Sequence, residues 1–259
     1  MHDTPILSML RERQPLDLVW LSLGSTAIAE IAAQQRPGAI VIDMQHGLWD
    51  RLSLEAAVGI ARNSTRVIGR CADDSPSSIA QALDAGAHSV LIPLIESGSA
   101  AADAAAASRY PPQGLRSAGG VRPLLRGVEA MLAANDTVAV GVMIETVAGV
   151  EQASAIAEAK GVDYVFIGTG DLAMSRGATK PGTLDDDCEQ VRRAVQAAGL
   201  PCGIFTSSAA EAAQRFEAGY AMAVVANDIG LVKGGIADAR AMLDPRHRQA
   251  QTGTTQRRD

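Results

Sequence analysis

With 259 residues, 47% of them apolar, the chain is long enough for one large hydrophobic core and matches the ~250 residues typical of a single (β/α)8 barrel. A net charge of −6, with Lys and Arg dispersed outside a short basic tail, argues against nucleic acid as a partner. Cys71, Cys188 and Cys202 show no C-x-x-C spacing, no basic-then-apolar targeting pattern opens the chain, and no apolar run reaches the ~18 residues of a membrane span. A soluble protein of the reducing cytoplasm, without a membrane partner, is expected.

Along the chain, Val- and Ile-rich runs alternate with Ala-rich amphipathic stretches, the pattern of parallel strands joined by crossover helices. Strands are predicted at 18–24, 39–45, 66–72, 89–95, 138–145, 163–169, 202–207 and 222–227. Between them lie helical stretches such as TAIAEIAAQQ, SLEAAVGIARN, SSIAQALDAG, DCEQVRRAVQAAG and SAAEAAQRFEAG, and Gly86, Gly161, Gly199 and Gly219 stand where helix C-caps belong. Eight evenly spaced units favour a closed TIM barrel, residues 1–245, over a doubly wound open sheet. The stretch 109–136 interrupts the rhythm with Pro, Gly and Arg before a short helix, and is expected to be functional. The polar tail 246–259 has no periodicity and is expected not to pack.

In such a barrel the active site lies at the C-terminal ends of the strands. Strand two runs into Asp43-Met44-Gln45-His46-Gly47, strand three into Arg70, strand five into Glu145-Thr146, and strand six into Gly168-Thr169-Gly170-Asp171. Glu145 and Asp171 come from neighbouring strands at one level, and two converging carboxylates with open positions around them suit an oxygen-preferring ion such as Mg2+ or Mn2+. The plainer alternative pairs Glu145 with an arginine such as Arg70 and makes Asp171 a helix cap. His46 is a candidate general base, with Asp43 before it and Gly47 permitting close backbone approach. Arg70 is placed to bind a carboxylate or a developing enolate oxygen, or else forms a rim salt bridge. The three lysines, Lys160, Lys180 and Lys233, fall away from strand ends, which disfavours an imine-forming aldolase and leaves a metal ion as the electron sink. GLVKGG (230–235) lacks P-loop spacing and reads as a loose helix start; no dinucleotide fingerprint, nucleophile elbow or zinc cluster is visible.

Five runs in order, IDMQHG (42–47), QALDAGAHSVLIP (81–93), RYPPQGLRS (109–117), MIETVAGVEQ (143–152) and GVDYVFIGTGDLA (161–173), give the chain its family likeness. It resembles the class II pyruvate aldolases of the 4-hydroxy-2-oxoheptanedioate and 2-dehydro-3-deoxyglucarate aldolase family, the HpcH/HpaI type, over roughly residues 5–243. The resemblance implies a barrel of the phosphoenolpyruvate/pyruvate-binding type, assembled as a homohexamer (a trimer of dimers) with the last helix exchanged between partners, and a cofactor of Mg2+, Mn2+ or Co2+. By position it implies Glu145 and Asp171 as metal ligands, His46 as catalytic base, and Asp84 as the partner that orients His46. It implies Arg70 on the keto and enolate oxygen, and the backbone at Gly170 and Asp171 as the seat of the 2-oxo acid carboxylate. The implied reaction is reversible cleavage of a 4-hydroxy-2-oxo acid to pyruvate, or a related 2-oxo acid, and an aldehyde through an enolate, with the 109–136 loop excluding water from the site.

Departures from the family pattern gather around the substrate. Met143, counted with the substrate-binding positions, stands where the family generally has Gln; Gly-Thr-Gly-Asp-Leu (168–172) replaces Gly-Pro-x-Asp-Leu, and Gln45-His46 replaces Glu-His. The loop after YPPQGLR is shorter, with Arg122 and Arg126 in a different context. These changes motivate a second expectation, a citrate-forming or acyl-CoA-cleaving relative on the same metal barrel, and a third, a catalytically silent barrel acting in binding or assembly.

Overall fold

The structure, a computed structural model, describes residues 5–12, 14–177 and 180–243; the tail 246–259 lies outside the described residues. Eight parallel strands close in sequence order: β1 (Leu16–Leu21), β2 (Ala39–Asp43), β3 (Arg66–Arg70), β4 (Ser89–Ile92), β5 (Ala139–Ile144), β6 (Tyr164–Ile167), β7 (Cys202–Ile204) and β8 (Met222–Asn227), the last pairing back onto β1. The barrel expected from spacing is the barrel observed. Seven of the eight predicted runs overshoot the C-terminal end of their strand by one to three residues. Hydrogen-bonded pairing stops there as the chain bends toward the next helix, while the residue types that suggest a strand continue.

Side chains alternate between the barrel interior and the surrounding helices, and the inward row of each strand is filled in layers. Ala39 and Val41 of β2, Ile68 of β3, Ala139 and Met143 of β5, and Tyr164 and Phe166 of β6 belong to one buried cluster. The two β6 rings fit because adjacent strands carry glycine beside them. A Cβ on Gly141 would stand 2.1 Å from Tyr164 Cζ, and one on Gly203 2.4 Å from Phe166 Cδ2. Ile6, Leu7 and Leu10 of the short helix Ile6–Arg11 join this cluster and close the barrel's N-terminal end. Following the same alternation upward, the next inward positions are Asp43, Arg70, Glu145 and Gly168, so the interior row that is apolar below becomes polar at the mouth.

Crossover helices begin with side chains that accept a backbone N–H of the first turn: Ser25, Asp50, Ser75, Ser97, Thr146, Thr183, Ser208 and Asn227. The helix Gly98–Ala107 runs back from β4, so the stretch that follows it lies at the N-terminal end of the barrel, where it forms the helices Val121–Arg126 and Val128–Thr137 before entering β5. This corrects the expectation that 109–136 covers the active site of its own chain: an odd number of crossings places it at the opposite end. GLVKGG lies within the helix Asp228–Ala241, in keeping with a helix start.

Candidate active site

The mouth is organised by Asp43, which is 3% exposed and accepts five hydrogen bonds besides a longer one from Ser22 Oγ at 3.3 Å. Arg70 donates twice, Nε to Oδ1 at 2.8 Å and Nη2 to Oδ2 at 3.0 Å, as register partners on β2 and β3 allow. Trp20 Nε1 donates to Oδ2 at 3.1 Å, and the backbone N–H groups of Gln45 and His46 donate to Oδ1 at 3.1 and 3.2 Å. Burial alone pushes the Asp43 carboxyl upward, but the hydrogen bonds and charge of Arg70, with the donors at His46 and Trp20, outweigh it and hold its pKa below the usual value. The turn that carries His46 closes through Gly47, whose N–H reaches Asp43 O at 3.1 Å; a Cβ there would stand 2.1 Å from that oxygen. His46 is exposed at the mouth.

Arg70 is 6% exposed and its guanidinium carbon lies 5.2 Å from the centroid of the Trp20 ring. With Nε and Nη2 committed to Asp43, its Nη1 makes no hydrogen bond among the described residues. The plainer alternative for Glu145 therefore does not hold, because Arg70 pairs with Asp43 instead. Glu145, 1% exposed, accepts from the backbone N–H of Leu94 at 2.8 Å, and Leu94 holds the left-handed conformation at φ +56° that aims this donor inward. Burial pushes the Glu145 carboxyl up to about 7; the Leu94 N–H and the charge of Arg70 oppose this, and the neighbouring Asp171 carboxyl adds to it. Asp171 sits in the first turn of the helix Thr169–Arg176, whose N-terminus favours negative charge. Gly168 leaves room for Glu145: a Cβ there would lie 2.4 Å from Oε2.

Glu145 and Asp171 therefore meet, as expected, and Arg70 and His46 share the same end of the barrel. A buried carboxylate that keeps its proton up to about 7, beside a half-buried one, offers the oxygen ligands that a hard divalent cation takes. Among the described residues no group of three or more His, Cys, Asp or Glu gathers elsewhere or here. Any further coordination positions fall to solvent or ligand oxygen. Gly170 is exposed with open space beside it.

Asp84 and Met143 take different places relative to the mouth. Asp84 ends the helix Pro76–Asp84 at the N-terminal end of the barrel, where Oδ1 accepts from Arg116 at 2.8 Å; within the chain it does not meet His46, because that helix carries the residue a full barrel height from the end of β3. Met143 is 2% exposed and packs in the interior cluster beneath Gly168, where a Cβ would meet Glu145 Oε2 at 2.4 Å and Met143 Cε at 3.0 Å, so its thioether lies under the Glu145 carboxylate. Sequence reasoning gave no role to Trp20, Leu94 or Gly168. Inward alternation on β1 and β6 carries a signal for the first and third, whereas a backbone donor from Leu94 has none.

None of the three lysines approaches the mouth: Lys180 bonds Asp187 at 2.9 Å, Lys160 is exposed after the helix Ala153–Ala157, and Lys233 is exposed on the helix Asp228–Ala241.

A family model described as HpcH/HpaI aldolase/citrate lyase matches residues 17–233. A hydroxypyruvate/pyruvate aldolase of Paraburkholderia phytofirmans is 33% identical over 238 residues, covering 87% of this chain and 92% of its own length. A solved structure of a HpcH/HpaI aldolase/citrate lyase family protein from Burkholderia cenocepacia J2315 is similar with a TM-score of 0.86 at 32% identity, over 92% of this chain and 98% of that one. A citrate synthase at 24% identity shares the fold, with a TM-score of 0.82 over 96% and 99% of the two chains. With the barrel, the paired carboxylates at its mouth and these likenesses together, the chain belongs to the HpcH/HpaI aldolase/citrate lyase family and is a carbon–carbon lyase.

Proposed function

We propose that the barrel mouth reversibly cleaves a 4-hydroxy-2-oxo acid into pyruvate, or a related 2-oxo acid, and an aldehyde, with Glu145 and Asp171 holding a Mg2+, Mn2+ or Co2+ ion. The observation that carries the reading is the meeting of these two carboxylates beside an arginine whose Nη1 is uncommitted. When bound, a divalent ion supplies Lewis-acid polarisation of the 2-oxo group. The chain does the rest. Backbone N–H groups at Gly170 and Asp171, in the first turn of their helix, receive the substrate carboxylate. Arg70, locked by Asp43 and Trp20, presents Nη1 to the keto oxygen as negative charge develops there. His46, exposed at the mouth, takes the proton of the 4-hydroxyl. The C3–C4 bond then breaks, the aldehyde leaves with its new carbonyl, and its bonding pair becomes the enolate that is protonated at C3 to give the 2-oxo acid.

Assembly with further copies belongs to the same reading. Ile229, Leu231, Val232 and Ile236 of the terminal helix Asp228–Ala241 are 45–61% exposed, more apolar surface than one helix leaves to water without a partner. Three buried free thiols support work in a reducing compartment such as the cytoplasm.

The test is pyruvate release from a 4-hydroxy-2-oxo acid by the purified protein, with Mn2+ or with excess chelator. Turnover is expected only with metal, and full turnover in chelator overturns the reading. Mass measurement of the products from oxaloacetate or a hydroxyacyl-CoA separates the citrate-forming and acyl-CoA alternatives.

A further inference from the structure

A cavity of about 710 Å3 lies at the end of the barrel away from Glu145 and Asp171. Its walls include Thr65 and Arg66 at the start of β3, His88 just before β4 and Val138 just before β5, under the helices Val121–Arg126 and Val128–Thr137. The volume is that of a small-molecule site.

Its charge is one-sided. Arg62, Arg66, Arg116, Arg122 and Arg126 line it, and no Asp or Glu does among the described residues. From outside the cavity, Asp84 pairs with Arg116 at 2.8 Å and Glu55 with Arg122 at 3.4 Å. Arg62 and Arg122 converge on Gly86: a Cβ there would stand 2.1 Å from Arg62 Nη1 and 2.8 Å from Arg122 Cδ. Arg62 bonds Gly86 O at 3.2 Å, and Arg122 bonds Ala85 O, so carbonyls at the end of the Pro76–Asp84 helix take part of the load. Arg126 makes no hydrogen bond or ion pair among the described residues. The positive groups feel one another: Arg126 and Arg122, after burial itself, depress the pKa of Arg62. His88, facing Arg62, Arg66 and Arg126, is pushed down to about 4 by burial and by those charges; it is neutral, and its Nδ1 accepts the Val67 N–H at 3.0 Å.

The floor adds a second observation. Tyr110 and Arg116, 3% and 5% exposed, stack with the guanidinium carbon 4.4 Å from the ring centroid, yet Tyr110 Oη and Arg116 Nε are buried with no hydrogen-bond partner. Two orphaned polar atoms beneath a cavity rich in arginine mark a wall whose hydrogen bonding is incomplete. Leu83, Met131 and Ala134 give the remainder an apolar surface.

We propose that this cavity is a second small-molecule site, for an organic anion bearing a phosphate group, which Arg62, Arg122 and Arg126 hold at the charged wall. A dianion with forked acceptors matches several guanidinium groups better than the single carboxylate of a 2-oxo acid. The proposal stands independently of the reaction assigned to the barrel mouth.

The test is the melting temperature of the full chain, in chelator, titrated with inorganic phosphate and then with glycerol phosphate at constant ionic strength. A saturable rise of about 2–4 °C is expected at tenfold excess over the dissociation constant, larger for the ester because of the apolar wall. Arg126→Glu, at an exposed position, is expected to fold and to lose the response, with affinity down at least tenfold; Arg62→Gln is the second variant. Glu145→Gln, at the opposite end, is expected to keep it. A response that is undiminished in Arg126→Glu and Arg62→Gln, or that disappears in Glu145→Gln, overturns the proposal, as does the absence of any saturable rise in the wild-type chain.

Discussion

The two ends of this barrel are built with opposite charge logic. At the C-terminal mouth stand one buried arginine, committed to Asp43, and the separate carboxylate pair of Glu145 and Asp171. At the N-terminal end five arginines line a cavity, and the carboxylates paired with Arg116 and Arg122, Asp84 and Glu55, stand outside its lining. The mouth is thus suited to a cation and to the oxygens it gathers, and the other end to an anion. One chain separates the two functions by the height of the barrel, so changes at one end should leave the other intact.

Breaking the mouth gives the largest expected effect. Glu145→Gln and Asp171→Asn should each lower turnover by about 10³-fold, since a Lewis acid contributes several kcal/mol to the transition state. Steady-state rates across a Mn2+ series check this, and a variant restored by metal alone would shift the role to the other carboxylate. Next comes the Asp43–Arg70 pair, with side chains 4% and 7% exposed. Asp43→Ala should destabilise the chain by about 3–5 kcal/mol in urea unfolding, because it strands a buried guanidinium. The unfolding midpoint distinguishes this from a purely catalytic loss.

Acidity sharpens the contrast further. Glu145 in the folded metal-free chain keeps its proton up to about 7, whereas an ordinary glutamate, as in the unfolded chain, loses it near 4.5. Unfolding therefore releases a proton between these values, and metal-free stability should fall as pH rises through that window, by about 3 kcal/mol in all. Divalent metal should flatten the fall by taking the proton's place; denaturation curves at pH 5 and 7.5, with and without Mn2+, read the difference. Gly168→Ala sets a methyl group 2.4 Å from Glu145 Oε2 and should cost about 1–3 kcal/mol together with metal affinity. The smallest effect belongs to the other end: Arg126→Gln should raise the melting temperature slightly by relieving Arg62, and leave turnover at the wild-type rate.

Much of this was legible in the sequence. Strand and helix periodicity, repeated eight times, determined the barrel, because each unit buries one face and only closure covers every edge. Position at the C-terminal ends of the predicted strands placed Arg70, Glu145 and Asp171 at the mouth. Tertiary structure decided what periodicity cannot express. It gave Arg70 to Asp43 rather than to Glu145, because those two strands are in register. It sent Asp84 and the 109–136 stretch to the far end, where each crossover helix returns the chain. It also brought arginines 60 positions apart, Arg62 and Arg122, onto one glycine, a convergence produced by closure and invisible to local spacing.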